Sequence, residues 1–141
     1  MLSVILIALA LVAGTVAVHA AGMAFVLSRM MKAHADPPAR LWAITWLLIK
    51  IGWLFILIHA AEVSLWALFY LREGCLPDAE SAFYFSGVTY TTIGYGDVVL
   101  IKPWRLLAPI QGLTGILMCS LSAGLFFAAV ARIFRPRRDS V

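Results

Sequence analysis

The residues best suited to binding an ion form one short run, TIGYGD, at positions 92–97 of a mostly apolar chain. Glycine adopts positive φ without steric cost, so Gly94 and Gly96 allow the backbone to alternate between right- and left-handed conformations. Such a backbone turns successive carbonyl oxygens toward one axis, where they can replace the water around a dehydrated cation. The run therefore predicts a cation site formed by the carbonyls of Thr92, Ile93, Gly94 and Tyr95, with the Thr92 hydroxyl as a further ligand.

Composition places this run in a membrane protein. Of the 141 residues, 63% are hydrophobic and 13% are charged, and the mean hydropathy is +0.96. A soluble domain of this length has too little interior to hide that much apolar surface. The sequence shows no nucleotide motif, no metal-ligand cluster and no nucleophile beside a base, so it predicts neither an enzyme nor a bound cofactor.

Three apolar segments are long enough to cross a membrane, which takes roughly 20 residues in a helix. The first covers residues 1–28 and carries no Lys, Arg, Asp or Glu. Because no basic residue precedes it, it predicts a retained helix rather than a signal peptide, with cleavage after Ala20 as the alternative. The third covers residues 105–133.

The second apolar segment starts at Leu41 and is too long for one span at about 1.5 Å per residue. Lys50 divides it. Trp42, Trp46 and Lys50 recur at every fourth position and share a helix face, as in a segment that lies at the lipid headgroups. We therefore expect a cytoplasmic loop and interfacial helix over residues 29–50 and an outer membrane helix over residues 51–71.

A shorter apolar segment, residues 79–91, separates the outer helix from the third helix and is too short to cross a membrane. Asp78 is a good N-cap, and Glu80 falls in the first turn. The segment predicts a short helix that enters the membrane and turns back at residues 92–97. Irregular backbone at that depth is tolerated only where it is buried in protein or lines a wet cavity.

This order of elements and the TIGYGD run resemble the pore module of bacterial potassium channels, over roughly residues 50 to 133. The resemblance implies an all-α membrane protein with three transmembrane helices and a pore module over residues 51–134. In that module a re-entrant pore helix (79–91) and a selectivity filter (92–97) precede the inner helix (105–133). It implies a tetramer, because one chain supplies a quarter of a pore. It also implies K⁺ ions bound by Thr92, Ile93, Gly94, Tyr95 and Gly96.

The chain departs from the pattern of this family around the filter. Many relatives carry paired tryptophans on the pore helix that brace the filter tyrosine, and the matching positions here are Tyr84 and Phe85. Some carry a pore-helix glutamate that binds the filter aspartate, and the matching residue here is Val88. We therefore expect filter support from Tyr84 and Phe85, with Asp97 relying on Tyr84 or on water. The first helix is extra to the two-helix plan and lacks the arginine series of a voltage sensor.

The third helix carries Gln111, Gly115, Met118 and Ser122 at the period of one helix face. The resemblance makes this helix the inner one and implies that Gln111, Met118 and Ser122 line the pore. Gly115 lies near the place where relatives bend to open, which makes it a candidate gating hinge. The alternative is that its small size only allows helices to pack closely.

Glu62 is an acid within the hydrocarbon-spanning part of the outer helix, so it must face protein, find a donor or stay protonated. One interpretation is a structural bond to His59 or to a pore-helix hydroxyl such as that of Ser86 or Thr89. The other is a proton-sensitive brace behind the filter, formed by Glu62 and His59. His19 carries no pattern that assigns it a role.

Basic residues decide the orientation, because cytoplasmic loops carry an excess of Lys and Arg. Two basic groups belong on one side: Arg29, Lys32 and Arg40, and Arg132, Arg135, Arg137 and Arg138. We expect a multi-pass protein of the cell (inner) membrane, with its N-terminus outside and its basic tail, residues 135–141, in the cytoplasm. The second group is expected to anchor on lipid, including anionic lipid. Cys75 then lies outside, as a free thiol or as a bridge between subunits.

These features favour a potassium-selective channel that conducts K⁺ passively through a homotetrameric pore. Only about ten residues follow the third helix, too few for a folded module, so no soluble gating domain is expected. Two alternatives stay open. A weakly selective cation channel would result if the altered support leaves the filter loose, and a non-conducting pore-like subunit would regulate another channel or sense lipid.

Overall fold

The part of the chain that the computed structural model describes, residues 2–32 and 41–133, is helical. Its α-helices in chain order are α1 (Leu2–Lys32), α2 (Leu41–Arg72), α3 (Ala79–Tyr90) and α4 (Leu107–Ile133), with a 3-10 turn, Trp104–Leu106, before α4. Three helices are long and apolar enough to cross a membrane, over Leu2–Met30, Leu41–Arg72 and Trp104–Ala131. The predicted multi-pass, all-helical plan with a short helix between the last two spans is confirmed.

The second long helix differs from its prediction. α2 runs unbroken from Leu41 to Arg72, which corrects the expected boundary between an interfacial helix and an outer helix at Lys50. Lys50 is exposed on the surface of α2, as are Trp42 and Trp46. A charge on an exposed helix face does not interrupt the backbone hydrogen bonds of a helix. α2 contains no proline, so nothing in its sequence stops the helix at that point.

Helix α1 is packed into the same bundle near both of its ends. Near its N-terminus it joins a core that contains Trp66, Tyr70 and Leu107. Near its C-terminus it joins a second core that contains Ile51, Phe55 and Ala129. Between them, Trp66 Nε1 donates a hydrogen bond of 2.9 Å to Thr15 Oγ1. These contacts make α1 part of the same helix bundle.

The short helix α3 aims its carboxyl end at the TIGYGD run. Asp78 caps it as predicted, because its carboxylate accepts a hydrogen bond of 2.8 Å from the backbone N–H of Ser81, and Glu80 lies in the first turn. The last turn closes where Thr91 N–H donates to Gly87 O at 3.0 Å. The carbonyl end of α3, which carries a partial negative charge, therefore lies at the start of the run.

Some predicted residues lie outside the described ranges. These are the loop 33–40 with Arg40, and the tail 135–141 with Arg135, Arg137 and Arg138. Lys32 and Arg132 belong to helices, but their side chains are not described.

Candidate functional site

The backbone of the TIGYGD run alternates in handedness. Gly94 has a φ of 57° and Gly96 a φ of 81°, which confirms the left-handed conformation predicted for both glycines. Thr92 also has a positive φ, of 63°, whereas Ile93 and Tyr95 do not. The left-handed region costs a side-chain-bearing residue roughly 1–2 kcal/mol. Sequence reasoning missed Thr92 because a β-branched residue gives no signal for this conformation.

Within the described part of the chain, the carbonyl oxygens of residues 92–96 have no hydrogen-bond partner. Among residues 2–32 and 41–133, no donor bonds to any of them, while the backbone N–H groups of Ile93 and Gly94 both donate to Val88 O, at 3.0 and 3.3 Å. The N–H groups at the start of the run thus hold it to the end of α3. All residues of the run are exposed in the single chain. These carbonyl oxygens are therefore available to coordinate a metal cation.

Asp97 at the end of the run is held by α3. The Tyr84 hydroxyl donates a hydrogen bond of 2.7 Å to Asp97 Oδ2, and Val98 N–H donates to Asp97 Oδ1 at 3.0 Å. The hydrogen bond from Tyr84 holds the pKa of Asp97 below its ordinary value and raises the pKa of Tyr84. The sequence predicted Tyr84 or water as the partner of Asp97, and the structure shows the hydrogen bond to Tyr84.

Phe85 lies beside the run but faces the other way. Its ring is buried, with its centroid 5.4 Å from that of Tyr70 on α2. Together with Tyr84, Gly94 and Gly96, Phe85 also borders a cavity of roughly 270 Å³ behind the run. The predicted support residues therefore act on different sides: Tyr84 binds Asp97, and Phe85 fixes α3 to α2.

Glu62 lies at the centre of a buried polar cluster. The structure confirms the predicted contact with His59, whose Nδ1 lies 3.1 Å from Glu62 Oε2. The hydroxyl partner on α3 is that of Tyr90, which donates to Glu62 Oε2 and lies 2.9 Å from His59 Nδ1. On α1, His19 Nδ1 lies 2.9 Å from Glu62 Oε1. The cluster ties three helices together, and it includes the last residue of α3.

Sequence reasoning missed His19 and Tyr90. An ionisable residue inside an apolar span is by default a functional candidate, and His19 carried that signal. Nothing comparable singled out Tyr90 among the hydroxyls of α3. Ser86, considered instead, donates to Val63 O at 2.7 Å.

The same cluster brings together side chains of the kind that bind metals, although the sequence predicted no metal-ligand cluster. One ligand atom each from His19, His59 and Glu62 lies within 4.8 Å of the others. Both carboxylate oxygens already have partners at hydrogen-bond distance. The arrangement is therefore accounted for as a hydrogen-bond network that satisfies a buried carboxylate.

Gln111 does not line a pore, so that prediction is wrong. Its side chain is fully buried, where it accepts a hydrogen bond of 2.8 Å from the Tyr70 hydroxyl and donates to Ser86 Oγ at 2.8 Å. Met118 and Ser122, each 5% exposed in the single chain, are buried on the same face. The period identified a real helix face, but that face packs against the other helices of the chain. The Gln111 amide there forms hydrogen bonds with buried polar groups, and lipid could not form such bonds.

Gly115 belongs to this packing face. A Cβ at Gly115 would collide with the carbonyl oxygen of Tyr90 and would lie 2.9 Å from its carbonyl carbon. Gly112, one turn earlier, would place a Cβ at 3.4 Å from the Thr89 carbonyl oxygen, which is a tolerable contact. The structure thus favours close packing over a hinge as the reason for the glycine at 115.

Cys75 is not positioned to bridge subunits. It is 3% exposed within the single chain and packs in the core that contains Trp66 and Tyr70. Burial raises the pKa of its thiol, and the thiolate is the form that forms disulfides. The free-thiol alternative fits this environment.

Comparison with known proteins places this geometry in a family. A family model described as an ion channel matches residues 56–132, more than half of the chain. No match was found among curated proteins or among solved structures. The matched stretch holds about half of α2, all of α3, the TIGYGD run and nearly all of α4. The chain therefore belongs to the ion channel family.

Proposed function

We propose that this protein is a potassium-selective channel in which four identical chains form one pore and K⁺ passes through it passively. The observation that carries the proposal is the alternating backbone at Thr92, Gly94 and Gly96, with φ values of 63°, 57° and 81°. With every other residue left-handed, the free carbonyl oxygens of residues 92–96 can be arranged around one axis. Carbonyl rings of this kind replace the hydration shell of K⁺.

Tetrameric assembly is supported by what a single chain leaves exposed. Tyr95 is 69% exposed and Ile93 is 55% exposed, although both are large and apolar enough to require packing. The face of α4 opposite Gln111 exposes further large side chains, namely Leu113, Ile116, Leu117, Leu121 and Phe127. These surfaces are left for the pore, the neighbouring subunits and lipid.

The proposed orientation puts the N-terminus outside and the basic tail in the cytoplasm, in a cell (inner) membrane. Arg29 lies near the C-terminus of α1, whereas the acids follow α2 in the chain: Glu73 directly after it, Asp78 as the N-cap of α3, and Asp97 at the end of the TIGYGD run. Positive residues favour the cytoplasmic side. The basic group from Arg132 onward is proposed to contact anionic lipid there.

Assembly and conduction are tested together on the purified chain. In lipid nanodiscs, native mass spectrometry should give a species of four chains of 15.4 kDa each. In liposomes, the same preparation should support K⁺ flux down a gradient. A tetramer without flux would favour the non-conducting subunit, and a monomer or dimer in lipid would refute the proposal.

The hydrogen bond between Tyr84 and Asp97 predicts how K⁺ flux changes at acidic pH. Because the hydrogen bond lowers the pKa of Asp97, it stabilises the ionised form, and this contribution disappears as the pH falls through the lowered pKa. In Tyr84→Phe, Asp97 should take up its proton at a higher pH, closer to the ordinary value of about 3.9. We expect K⁺ flux of the variant to decline at a higher pH than that of the wild type.

The control for this prediction is Phe83→Leu, which alters an exposed neighbour on the same helix. Flux should be measured in liposomes as the pH on the filter side is lowered. If the flux of Tyr84→Phe and that of the wild type decline at the same pH, the hydrogen bond from Tyr84 is not what keeps Asp97 ionised. Water would then be the partner of the Asp97 carboxylate.

The Glu62 cluster predicts a second pH effect, nearer neutrality. Groups that can titrate face Glu62 from every helix around it: His19 on α1, His59 on α2, Tyr90 on α3 and Cys119 on α4. Glu62→Gln keeps the size and much of the hydrogen bonding but removes the charge. The tetramer should survive, while any dependence of K⁺ flux on pH between about 5 and 8 should shrink.

Glu73→Gln removes an exposed acid from the outer loop and should leave the pH profile unchanged. The comparison is made on liposome flux over the same pH range. If Glu62→Gln has the same profile as the wild type, the cluster serves packing alone and the proton-sensitive interpretation fails.

A further inference from the structure

A groove of roughly 490 Å³ runs between α1 and α2, away from the filter. We call it the α1–α2 groove. Its walls are largely apolar and include Phe25 on α1 and Trp46, Trp53 and Leu57 on α2. These side chains are 46%, 47%, 61% and 61% exposed, respectively. The groove is therefore open to the medium around the helices, which for a membrane-spanning bundle is lipid.

Two cations also line the groove, one on each wall: Arg29 of α1 and Lys50 of α2. Both are exposed, and within residues 2–32 and 41–133 the ion pairs involve neither of them. The Arg29 guanidinium lies 5.0 Å from the centroid of the Phe25 ring, which places its charge over the apolar wall. The groove therefore complements a molecule that joins an anion to a hydrocarbon chain.

The cations lie at the depth of lipid phosphates. From Lys50 to Arg72, α2 covers roughly 33 Å at the usual helical rise, which is close to the hydrocarbon thickness of about 30 Å. When Arg72 reaches one headgroup layer, Lys50 reaches the other. Trp42 and Trp46, with ring centroids 5.9 Å apart, mark the same end of α2, and tryptophan favours the membrane interface.

We propose that the α1–α2 groove binds one anionic phospholipid, with its phosphate between Arg29 and Lys50 and an acyl chain along Trp53 and Leu57. This site is distinct from the basic tail after α4. It does not rest on potassium conduction, because Arg29 and Lys50 lie outside the matched residues 56–132. A lipid in this place would hold α1 against α2, the contact through which His19 reaches Glu62.

The test measures lipid retention rather than conduction. The purified chain is equilibrated in micelles that contain equal amounts of phosphatidylglycerol and phosphatidylcholine, and retained lipid is counted by native mass spectrometry. Each cation at an anionic surface contributes about a five-fold factor. Arg29→Gln or Lys50→Gln should reduce the preference for phosphatidylglycerol about five-fold, and the double variant about 25-fold.

Arg72→Gln is the matched control, since it removes an exposed arginine from the other end of α2 and should keep the full preference. Excess glycerol phosphate should not displace the lipid, because it lacks the acyl chain. Displacement by it, equal loss in Arg72→Gln, or an unchanged double variant would each overturn the proposal.

A second measurement leaves both cations intact. Phosphatidylglycerol with brominated acyl chains should quench tryptophan fluorescence of the wild-type chain more strongly than brominated phosphatidylcholine at the same mole fraction. Trp53→Phe should remove much of this difference, whereas Trp104→Phe, in the turn before α4, should not. Equal quenching by the two lipids would show that the groove does not select an anionic headgroup.

Discussion

Gly94→Ala is expected to abolish K⁺ flux while leaving the tetramer assembled. Gly94 has a φ of 57°, a conformation that costs a residue with a Cβ roughly 1–2 kcal/mol, and the proposed tetramer of the variant would contain this strain four times. Within one chain an added Cβ would meet nothing within 4 Å, so the chain itself should still fold. Relief of the strain would rotate the neighbouring peptide and turn a carbonyl away from the ion path. Flux should fall at least about 100-fold, which corresponds to a barrier to conduction that is higher by roughly 2.7 kcal/mol.

The matched control for Gly94→Ala is Gly87→Ala on α3. Gly87 is helical, a Cβ there also meets nothing within 4 Å, and alanine favours a helix over glycine. Liposome flux should remain near that of the wild type in this variant. Normal flux in Gly94→Ala would mean that the left-handed conformation at this position is not needed for conduction.

Gly115→Ala should be the most disruptive single methyl group in the bundle. The new Cβ would collide with the carbonyl oxygen of Tyr90, which is backbone and has little freedom to move. Overpacking of this kind costs roughly 1–3 kcal/mol. Because Tyr90 is the last residue of α3, any shift also moves the start of the filter and the hydroxyl that binds Glu62. We expect a lower thermal midpoint of the tetramer and a loss of flux.

Gly112→Ala, one helical turn away, is the matched control, because its Cβ would lie 3.4 Å from the Thr89 carbonyl oxygen. The comparison also separates the two interpretations of Gly115. If Gly115 is a hinge, Gly115→Ala should leave the thermal midpoint unchanged and alter only how often the pore opens. That outcome would refute close packing as the reason for this glycine.

The parts of the site that follow from local chemistry could be predicted from the sequence. Gly94 and Gly96 are predicted to be needed because a left-handed backbone favours glycine, and Asp78 has the residue type and the position of an N-cap. Tyr84 is expected to be a partner of Asp97 because it occupies a pore-helix position at which relatives carry a tryptophan that braces the filter. Each of these inferences needed only short-range geometry or the family pattern.

The predictions that were wrong or incomplete depend on which helices face each other. The face of α4 with Gln111 and Ser122 was identified correctly as a face, but periodicity does not say whether a face meets a pore or another helix. The contact between His19 and Glu62 joins α1 to α2. Because α1 is apolar along its span, its sequence does not indicate which of its residues lies beside a given residue of α2. A charge within an apolar stretch, such as that of Lys50, predicts a helix boundary, whereas an exposed lysine can extend to the headgroups without ending the helix.

Selection of K⁺ by the carbonyls of residues 92–96 can be measured as a reversal potential. The purified wild-type tetramer is inserted into a planar bilayer with KCl on one side and an equal concentration of NaCl on the other. Protein-free bilayers and the Gly94→Ala variant serve as blanks. If the filter selects K⁺, the current should reverse only at a large potential, positive on the side without K⁺, since K⁺ alone then carries charge through the filter. Reversal near zero would contradict it and would identify a weakly selective cation channel instead.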